Sequence, residues 1–236
     1  MKFERQLSWP CHDCAVRGSS FCSSLIDRRP SDLRPAQNQV SQVFLNAEKH
    51  EVVRHGANGN FSGPFVLCEG WAYRFYRFPD GRRQILSVLL PGDLFSAVTL
   101  LDPQPDFSVQ AITDIKICQL GRDDIRKELA ENPTACDAFG KACSVEIAET
   151  RSTVIDLNEC CGVKRTVGFL RRLIKRLSAR GIAIGAGVYP FPLTHTDIAD
   201  ATGLTVDEVN RAIRDLRDIV DMSDNLLTVI DPTRFQ

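Results

Sequence analysis

Three cysteines open the chain in the order Cys11-His-Asp-Cys14-Ala-Val-Arg-Gly-Ser-Ser-Phe-Cys22. Thiolates this close together, ahead of any regular element, are suited to holding a soft metal. Three ligands do not complete a four-thiolate site, so a fourth must come from elsewhere in the fold. The chain carries nine cysteines. Cytosolic thiols are generally kept reduced, so this number favours metal or redox chemistry over disulfides. Cys68, Cys136, Cys143, Cys160 and Cys161 read as small buried hydrophobes.

A second stretch with chemical meaning lies near the other end. Ala199, Gly203 and Val209 stand in the spacing Ala-x3-Gly-x5-Val. A small residue lets two helices approach, glycine makes the tight turn, and valine packs the second helix on the first. The second helix opens with Thr205-Val-Asp-Glu208, a capping box. Val206, Val209, Ile213, Leu216 and Val220 form its expected buried stripe. Thr205, Asp207, Asn210, Arg211 and Arg214 are then left to read DNA, where recognition helices touch base edges. Arginine can bond guanine O6 and N7 together, and aspartate can accept from cytosine N4. The competing reading, a helix pair with a merely solvated charged face, explains neither the spacing nor the cap. Asn225 to Ile230 reads as the closing strand of a wing.

These two stretches need elements to position them. A chain of 236 residues has room for two packed domains. Its 43% hydrophobic and 25% charged residues are ordinary for a globular protein. No apolar run approaches the ~20 residues of a membrane span, and Met-Lys-Phe-Glu-Arg-Gln-Leu lacks a signal core, so a cytoplasmic location is expected. Net charge is −1. Lys164 to Arg180 carries seven Lys or Arg and no acid, whereas Thr194 onward carries nine acids against four Arg. That acidity opposes nonspecific DNA binding, which needs neutralised phosphates; the basic stretch is expected to compensate in part.

Residues 1–34 form a polar cysteine-bearing arm. From about Gln39 to Leu120, short strands alternate with turns, as in a closed barrel or sandwich. Trp71 to Phe78 reads as a strand, Pro79-Asp80-Gly81 as a turn, and Gln84 to Leu90 as the returning strand. Phe107 to Ile112 and Ile115 to Leu120 are expected to pair. The period then changes. Phe139, Cys143, Ile147, Thr150, Val154, Leu157 and Cys161 form a heptad seam on a helix from roughly Thr134 to Cys160. Such a seam suits either packing on its own domain or, after a barrel, a parallel homodimer. Residues 164–180 form a basic amphipathic helix that Gly181 ends.

Barrel, seamed helix and winged helix, in that order, resemble the Crp/Fnr family of transcription regulators over nearly the whole chain. The resemblance implies an α+β chain. Its parts are the arm (1–34), a β-roll sensor domain with a cupin-like barrel (35–132), a dimerisation helix (133–161) and a winged helix-turn-helix domain (162–236). Phe107-Ser-Val-Gln-Ala-Ile-Thr-Asp-Ile-Lys-Ile-Cys118 looks like the last barrel strands of the oxygen-sensing Fnr branch. There a cysteine is the fourth ligand of a 4Fe-4S cluster, which implies Cys11, Cys14, Cys22 and Cys118 as ligands here. The branch's Glu-x-x-Ser-Arg recognition motif stands here as Asp207-Glu-Val-Asn210-Arg211. Arg211 matches and the other two depart, so the half-site is TTGAT-like within a palindrome. Ile147, Thr150, Val154 and Leu157 would hold the homodimer, and the turn Asp80, Gly81 and Arg82 would contact RNA polymerase. No cyclic nucleotide is expected, since no Arg occurs between Arg83 and Arg122 to hold its phosphate.

Thiolates suit zinc as well as iron and sulfur, so a structural zinc stays open. A metal-free switch at Cys11-x-x-Cys14 is a further alternative, but it leaves Cys22 and Cys118 without a role. His12, His50, His55 and His195 are too scattered to suggest haem and read as solvated side chains. An enzyme would need an acid–base or nucleophile constellation, and the chain offers none.

Overall fold

The computed structural model describes Phe21, Cys22, Ser24 and residues 40–53, 63–100 and 107–235. Cys11 and Cys14 lie outside the described residues. The chain divides into two compact units, one of Met1–Arg74 with Leu89–Ala148, the other of Phe75–Val88 with Glu149–Gln236.

Short strands come first: β1 (Gln42–Ala47), β2 (Val52–Val53), β3 (Phe65–Glu69), β4 (Ala72–Arg77), β5 (Arg83–Leu89), β6 (Leu94–Phe95), β7 (Ser108–Ala111) and β8 (Ile115–Leu120), of which the end of β4 and β5 up to Val88 belong to the second unit. They form two four-stranded sheets, ordered β1-β8-β3-β6 and β2-β7-β4-β5. The two-residue period of a strand explains the interior. On β3, Phe65 and Leu67 enter one apolar cluster while Val66 and Cys68 enter another; on β8, Ile115 and Ile117 enter the first while Cys118 and Leu120 enter the second. The first cluster is the barrel core, where Phe65 stacks on Phe95 with ring centroids 5.5 Å apart. The second lies outside the sheet and is covered by helices.

One expected pairing is wrong. β7 pairs with β2, and β8 pairs with β1 and β3. The runs 107–112 and 115–120 are therefore consecutive but unpaired, because the chain changes sheets between them.

Helix α1 (Arg122–Glu131) and helix α2 (Pro133–Leu157) follow. Asn132 separates them and accepts from the amides of Thr134 and Ala135, capping α2. Proline at the first helical position costs nothing, because its missing N–H has no partner there. The helix stops at Leu157, earlier than the expected Cys160. Asn158 and Glu159 close short turns onto Ile155 and Asp156, leaving a corner before the next helix.

The second unit holds α3 (Gly162–Ala179), β9 (Val188–Pro190), α4 (His195–Thr202), α5 (Val206–Asp215), β10 (Val220–Ser223) and β11 (Leu226–Val229). Thr166, Phe169, Leu170, Leu173 and Leu177 form the buried stripe of α3. Burying leucines such as Leu170 and Leu177 completely is worth about 1.5–3 kcal/mol each. Gly181 ends the helix region with φ of 66°. The wing is a three-stranded sheet, ordered β10-β11-β9. Its tip, Asp224-Asn225, has φ of 52° and 57°, which suits the tight turn of a two-residue hairpin.

Among the described residues, no helix is long and apolar enough to cross a membrane.

Candidate functional site

The helix pair α4–α5 is held by caps at both starts. Thr194 caps α4: the Asp197 amide donates to the Thr194 hydroxyl at 3.1 Å, and Thr194 N–H donates to the Asp197 carboxylate at 3.0 Å. Thr205 caps α5 in the same reciprocal way with Glu208, at 3.3 and 2.8 Å. Hydrogen bonds from the backbone and hydroxyl of Thr205 favour the anion and hold the Glu208 carboxyl below its usual range. Between the helices, Gly203 adopts φ of 64°, and a Cβ there would lie 2.9 Å from the Leu157 side chain. Both the left-handed backbone and the close approach call for glycine.

The buried arc of α5 is Val209, Ala212 and Leu216, with Ile213 half-buried. Val206, expected in this stripe, is instead 39% exposed. It sits in the first turn at the edge of the arc, and Ala212 takes the place against the partner helix. Val220 is buried as expected, but on β10. The opposite face carries Thr205, Asp207, Arg211 and Arg214, all exposed, with Asn210 half-buried beside them. The predicted reading residues thus lie on one face.

Two residues at this interface were not anticipated. His195, read as solvated, bonds Asn210 across the helix pair, with Nδ1 and Oδ1 2.7 Å apart. Arg83 grips the first helix: Nε lies 2.7 Å from an Asp200 carboxylate oxygen, and Nη2 lies 3.1 Å from Asp197. Gln84 adds a bond from its amide to the Asp200 carbonyl at 2.8 Å. The Thr194-x-x-Asp197 cap was not read from the sequence, although its Thr-x-x-acid spacing is a signal that could have announced it. The Arg83 contact joins residues far apart in sequence, and no local pattern announces it.

The basic stretch on α3 does different work from that expected. Arg172 pairs with Asp156, and Arg176 reaches the Val88 carbonyl at 2.7 Å and Glu149 at 3.5 Å. Arg165 donates to the Glu159 carbonyl at 2.6 Å, and Arg171 to that of Phe235 at 3.1 Å. Burial pushes Arg172 below its usual range, against the opposing pull of Glu149. Arg165, Arg171, Arg172 and Arg176 are thus engaged inside the unit, while Lys164 and Lys175 stay exposed.

On α2, only Ala135 and Ala138 are buried, while Ile147 and Val154 are 68% and 55% exposed. Thr150 is exposed and Leu157 half-buried. Ile147, Thr150 and Val154 line one side of the helix, an apolar stripe open to solvent. The turn Asp80-Gly81-Arg82 is also exposed. Asp80 and Arg82 pair at 2.6 Å, which holds the Asp80 carboxyl below its usual range. The Arg82 guanidinium lies over the Phe78 ring at 5.1 Å.

Five of the seven described thiols, Cys22, Cys68, Cys118, Cys136 and Cys143, belong to the first unit. Cys118 is buried on β8, between Phe44 on β1 and Val66 on β3. Cys22 packs on the same apolar cluster, as do Cys68 and Cys143. Phe21, next to Cys22, meets Phe139 of α2 with centroids 5.6 Å apart. Desolvation pushes the Cys143 thiol up. Among the described residues, no three His, Cys, Asp or Glu side chains are grouped to hold a metal; Cys11 and Cys14 lie outside them. Two of the four expected ligands nevertheless share one apolar setting, and thiolate ligation in such a setting fits an iron–sulfur cluster. The reading of five other cysteines as buried is right for Cys68 only. Cys136 and Cys160 are exposed, and Cys143 and Cys161 half-buried. Cys136 points away from the packed side of α2, and Cys160 lies at the corner between helices.

Residues 46–132 match the model of the cyclic nucleotide-binding domain, and residues 164–236 that of the Crp-like helix-turn-helix domain. The nitrogen fixation regulation protein FixK of Bradyrhizobium diazoefficiens is 26% identical over 96% of this chain and 92% of its own. The anaerobic regulatory protein of Haemophilus influenzae is 28% identical over 86% of this chain and 76% of its own. The solved structure of FixK2 from Bradyrhizobium japonicum has the same fold, with a TM-score of 0.71 over 83% of this chain and 96% of that one, at 22% identity. The relatives and the fold are those of transcription regulators rather than enzymes. A β-sheet sensor domain, a long helix and a capped helix-turn-helix with its wing, matched in this order, place the chain in the Crp/Fnr family of transcription regulators.

Proposed function

We propose that the chain is an oxygen- or redox-responsive regulator that holds a 4Fe-4S cluster on Cys11, Cys14, Cys22 and Cys118. In this reading it binds, as a homodimer, a palindromic TTGAT-like site and mainly activates low-oxygen genes. The observation that carries the reading is that Cys22, from the N-terminal arm, packs against the apolar cluster that contains Cys118, from the barrel, and Ala138, from α2. Relatives described as an anaerobic regulatory protein and a nitrogen fixation regulator support it.

A bound cluster supplies chemistry that oxygen can attack. The chain's own residues do the rest. Cys22 and Cys118 tie the arm to β8. Phe21 and Phe139 tie the same arm to α2. Any change in the arm is then felt at the helix whose exposed Ile147, Thr150 and Val154, with Leu157 at its end, would meet their copies in the partner. Crp/Fnr regulators bind DNA and function as dimers. Asp207, Asn210, Arg211 and Arg214 would face the base edges, with Thr205 at the helix start near the backbone. The exposed turn Asp80-Gly81-Arg82 would meet RNA polymerase.

The test is anaerobic purification followed by iron, sulfide and zinc quantification and a visible spectrum. The expected result is four iron and four sulfide per chain, lost in Cys118→Ser and kept in Cys136→Ser. Stoichiometric zinc without visible absorption would refute the cluster, and full iron in Cys118→Ser would refute the ligand set.

A further inference from the structure

His195 opens α4 and Asn210 lies in the middle of α5, and their side chains bond at 2.7 Å through Nδ1 and Oδ1. An amide oxygen has no proton to give, so the imidazole nitrogen is the donor. The bond therefore fixes the imidazole with a proton on Nδ1, and it fixes the amide with its oxygen toward α4. The amide nitrogen of Asn210 carries two N–H donors and has no protein partner among the described residues.

The surroundings make this geometry persistent. Asn210 is half-buried beside the exposed Arg211 and Asp207. His195 sits directly after Thr194, whose cap to Asp197 fixes the start of α4. Asp197 is in turn held by Arg83 at 3.1 Å. Both ends of the His195–Asn210 bond are thus carried by anchored backbone, so little freedom is lost when it forms. Excluding water on binding a duplex would strengthen it further.

A free asparagine reads adenine by presenting oxygen and nitrogen to N6 and N7 together. An asparagine whose oxygen is engaged elsewhere presents donors alone. Donors match acceptors: guanine offers O6 and N7 and thymine offers O4, whereas adenine offers N7 alone and sets its N6 donors against the amide.

We propose that His195 is a specificity-determining positioning residue: by holding the Asn210 carbonyl against α4, it makes Asn210 favour guanine or thymine over adenine at one base pair per half-site. The inference rests on the proposed reading of DNA by α5.

The test selects a site from a randomised duplex pool with anaerobically purified full-length protein, then measures binding to every single-base variant at fixed salt. His195→Ala, Asn210→Ala, the double variant and Arg211→Ala are compared, with circular dichroism to confirm folding. The wild type should disfavour adenine about tenfold at one position per half-site, the scale of one polar base contact. His195→Ala should let adenine in at that position and leave the other positions unchanged. Asn210→Ala should abolish the preference, and adding His195→Ala to it should change nothing more there. Uniform weakening of all sequences by His195→Ala, with a shallower salt dependence, would overturn the proposal and make His195 a phosphate contact. An unchanged preference in His195→Ala would also overturn it. If Arg211→Ala and Asn210→Ala both keep every preference of the wild type, α5 is not the reading helix, and the inference falls with that reading; a loss in Arg211→Ala with no effect of His195→Ala overturns the inference alone.

Discussion

Arg83 offers a sharp test of how the helix-turn-helix is held. Its guanidinium meets Asp200 at 2.7 Å through Nε and Asp197 at 3.1 Å through Nη2. The three side chains are only 18%, 12% and 25% exposed for Arg83, Asp197 and Asp200. An exposed ion pair contributes about 0–1 kcal/mol, and breaking a buried one costs about 3–5 kcal/mol, because the remaining charge loses both water and partner. This group lies between those limits. Two carboxylates depend on one cation, which pushes the cost up; residual solvent at Asp200 brings it down. Arg83→Met should therefore destabilise α4 by about 2–3 kcal/mol. Gln84 remains bonded to the Asp200 carbonyl at 2.8 Å, so the strand should stay close to the helix.

Hydrogen exchange of the α4 amides reads this directly. A loss of 2–3 kcal/mol lowers protection about 30- to 150-fold at fixed pH. Asp200→Asn in the Arg83→Met background should recover part of it by removing the stranded charge. The control lies one residue away. Arg82 and Asp80 pair at 2.6 Å but are 75% and 52% exposed, so Arg82→Met should change protection by less than about fivefold. If Arg83→Met leaves α4 protection within threefold of wild type, solvent screens the group and the reasoning from burial is wrong.

Ile147→Glu should give a monomer that keeps its iron, since each charge would be desolvated against its twin; a dimer on anaerobic size exclusion would remove the seam from the interface. The folded-state pKa of Glu208 is depressed by Thr205, so the cap on α5 is at full strength above the unfolded carboxyl value near about 4.3 and is lost as pH falls through the lower folded value. Glu208→Gln should flatten that acid limb of α5 protection, and an unchanged limb would place the titration elsewhere. Arg82→Glu should bind promoter DNA as wild type does but activate transcription poorly in a purified polymerase assay; equal output would make the turn a plain solvated loop.

Local patterns carried much of the architecture. The Ala199, Gly203 and Val209 spacing and the Thr205 box located the helix-turn-helix, and the run Ile115 to Leu120 was legible as a strand. What local patterns could not carry was pairing at a distance. The runs 107–112 and 115–120 look like a hairpin, yet the two-sheet arrangement puts them in different layers. His195 has no neighbour in sequence that hints at Asn210, and Arg83 none that hints at Asp200. Cysteine burial also escaped composition, because the same residue type lies buried at 68, on a strand covered on both faces, and exposed at 136, on the open side of a helix.

Charge was the most misleading signal, and its resolution bears on how the protein would hold DNA. Nine acids against four Arg after Thr194 suggest a surface that repels phosphates. Several of those acids are spent inside the unit. Asp197 and Asp200 face Arg83, Glu208 closes the cap of α5, and Asp231 accepts from the amides of Thr233 and Arg234 at 2.9 and 3.2 Å. Arg165, Arg172 and Arg176 of α3 are spent likewise, on Asp156, Glu149 and backbone carbonyls, while Lys164 and Lys175 stay exposed. On α5 itself the exposed cations are Arg211 and Arg214, beside Asp207 and the half-buried Asn210. Each cation spent inside the unit is one fewer to neutralise a phosphate, which lowers nonspecific affinity and flattens the dependence on salt. A regulator that doubles its base contacts by dimerisation gains occupancy from the doubling, so in the proposed reading control over the apolar face of α2 would become control over DNA binding itself.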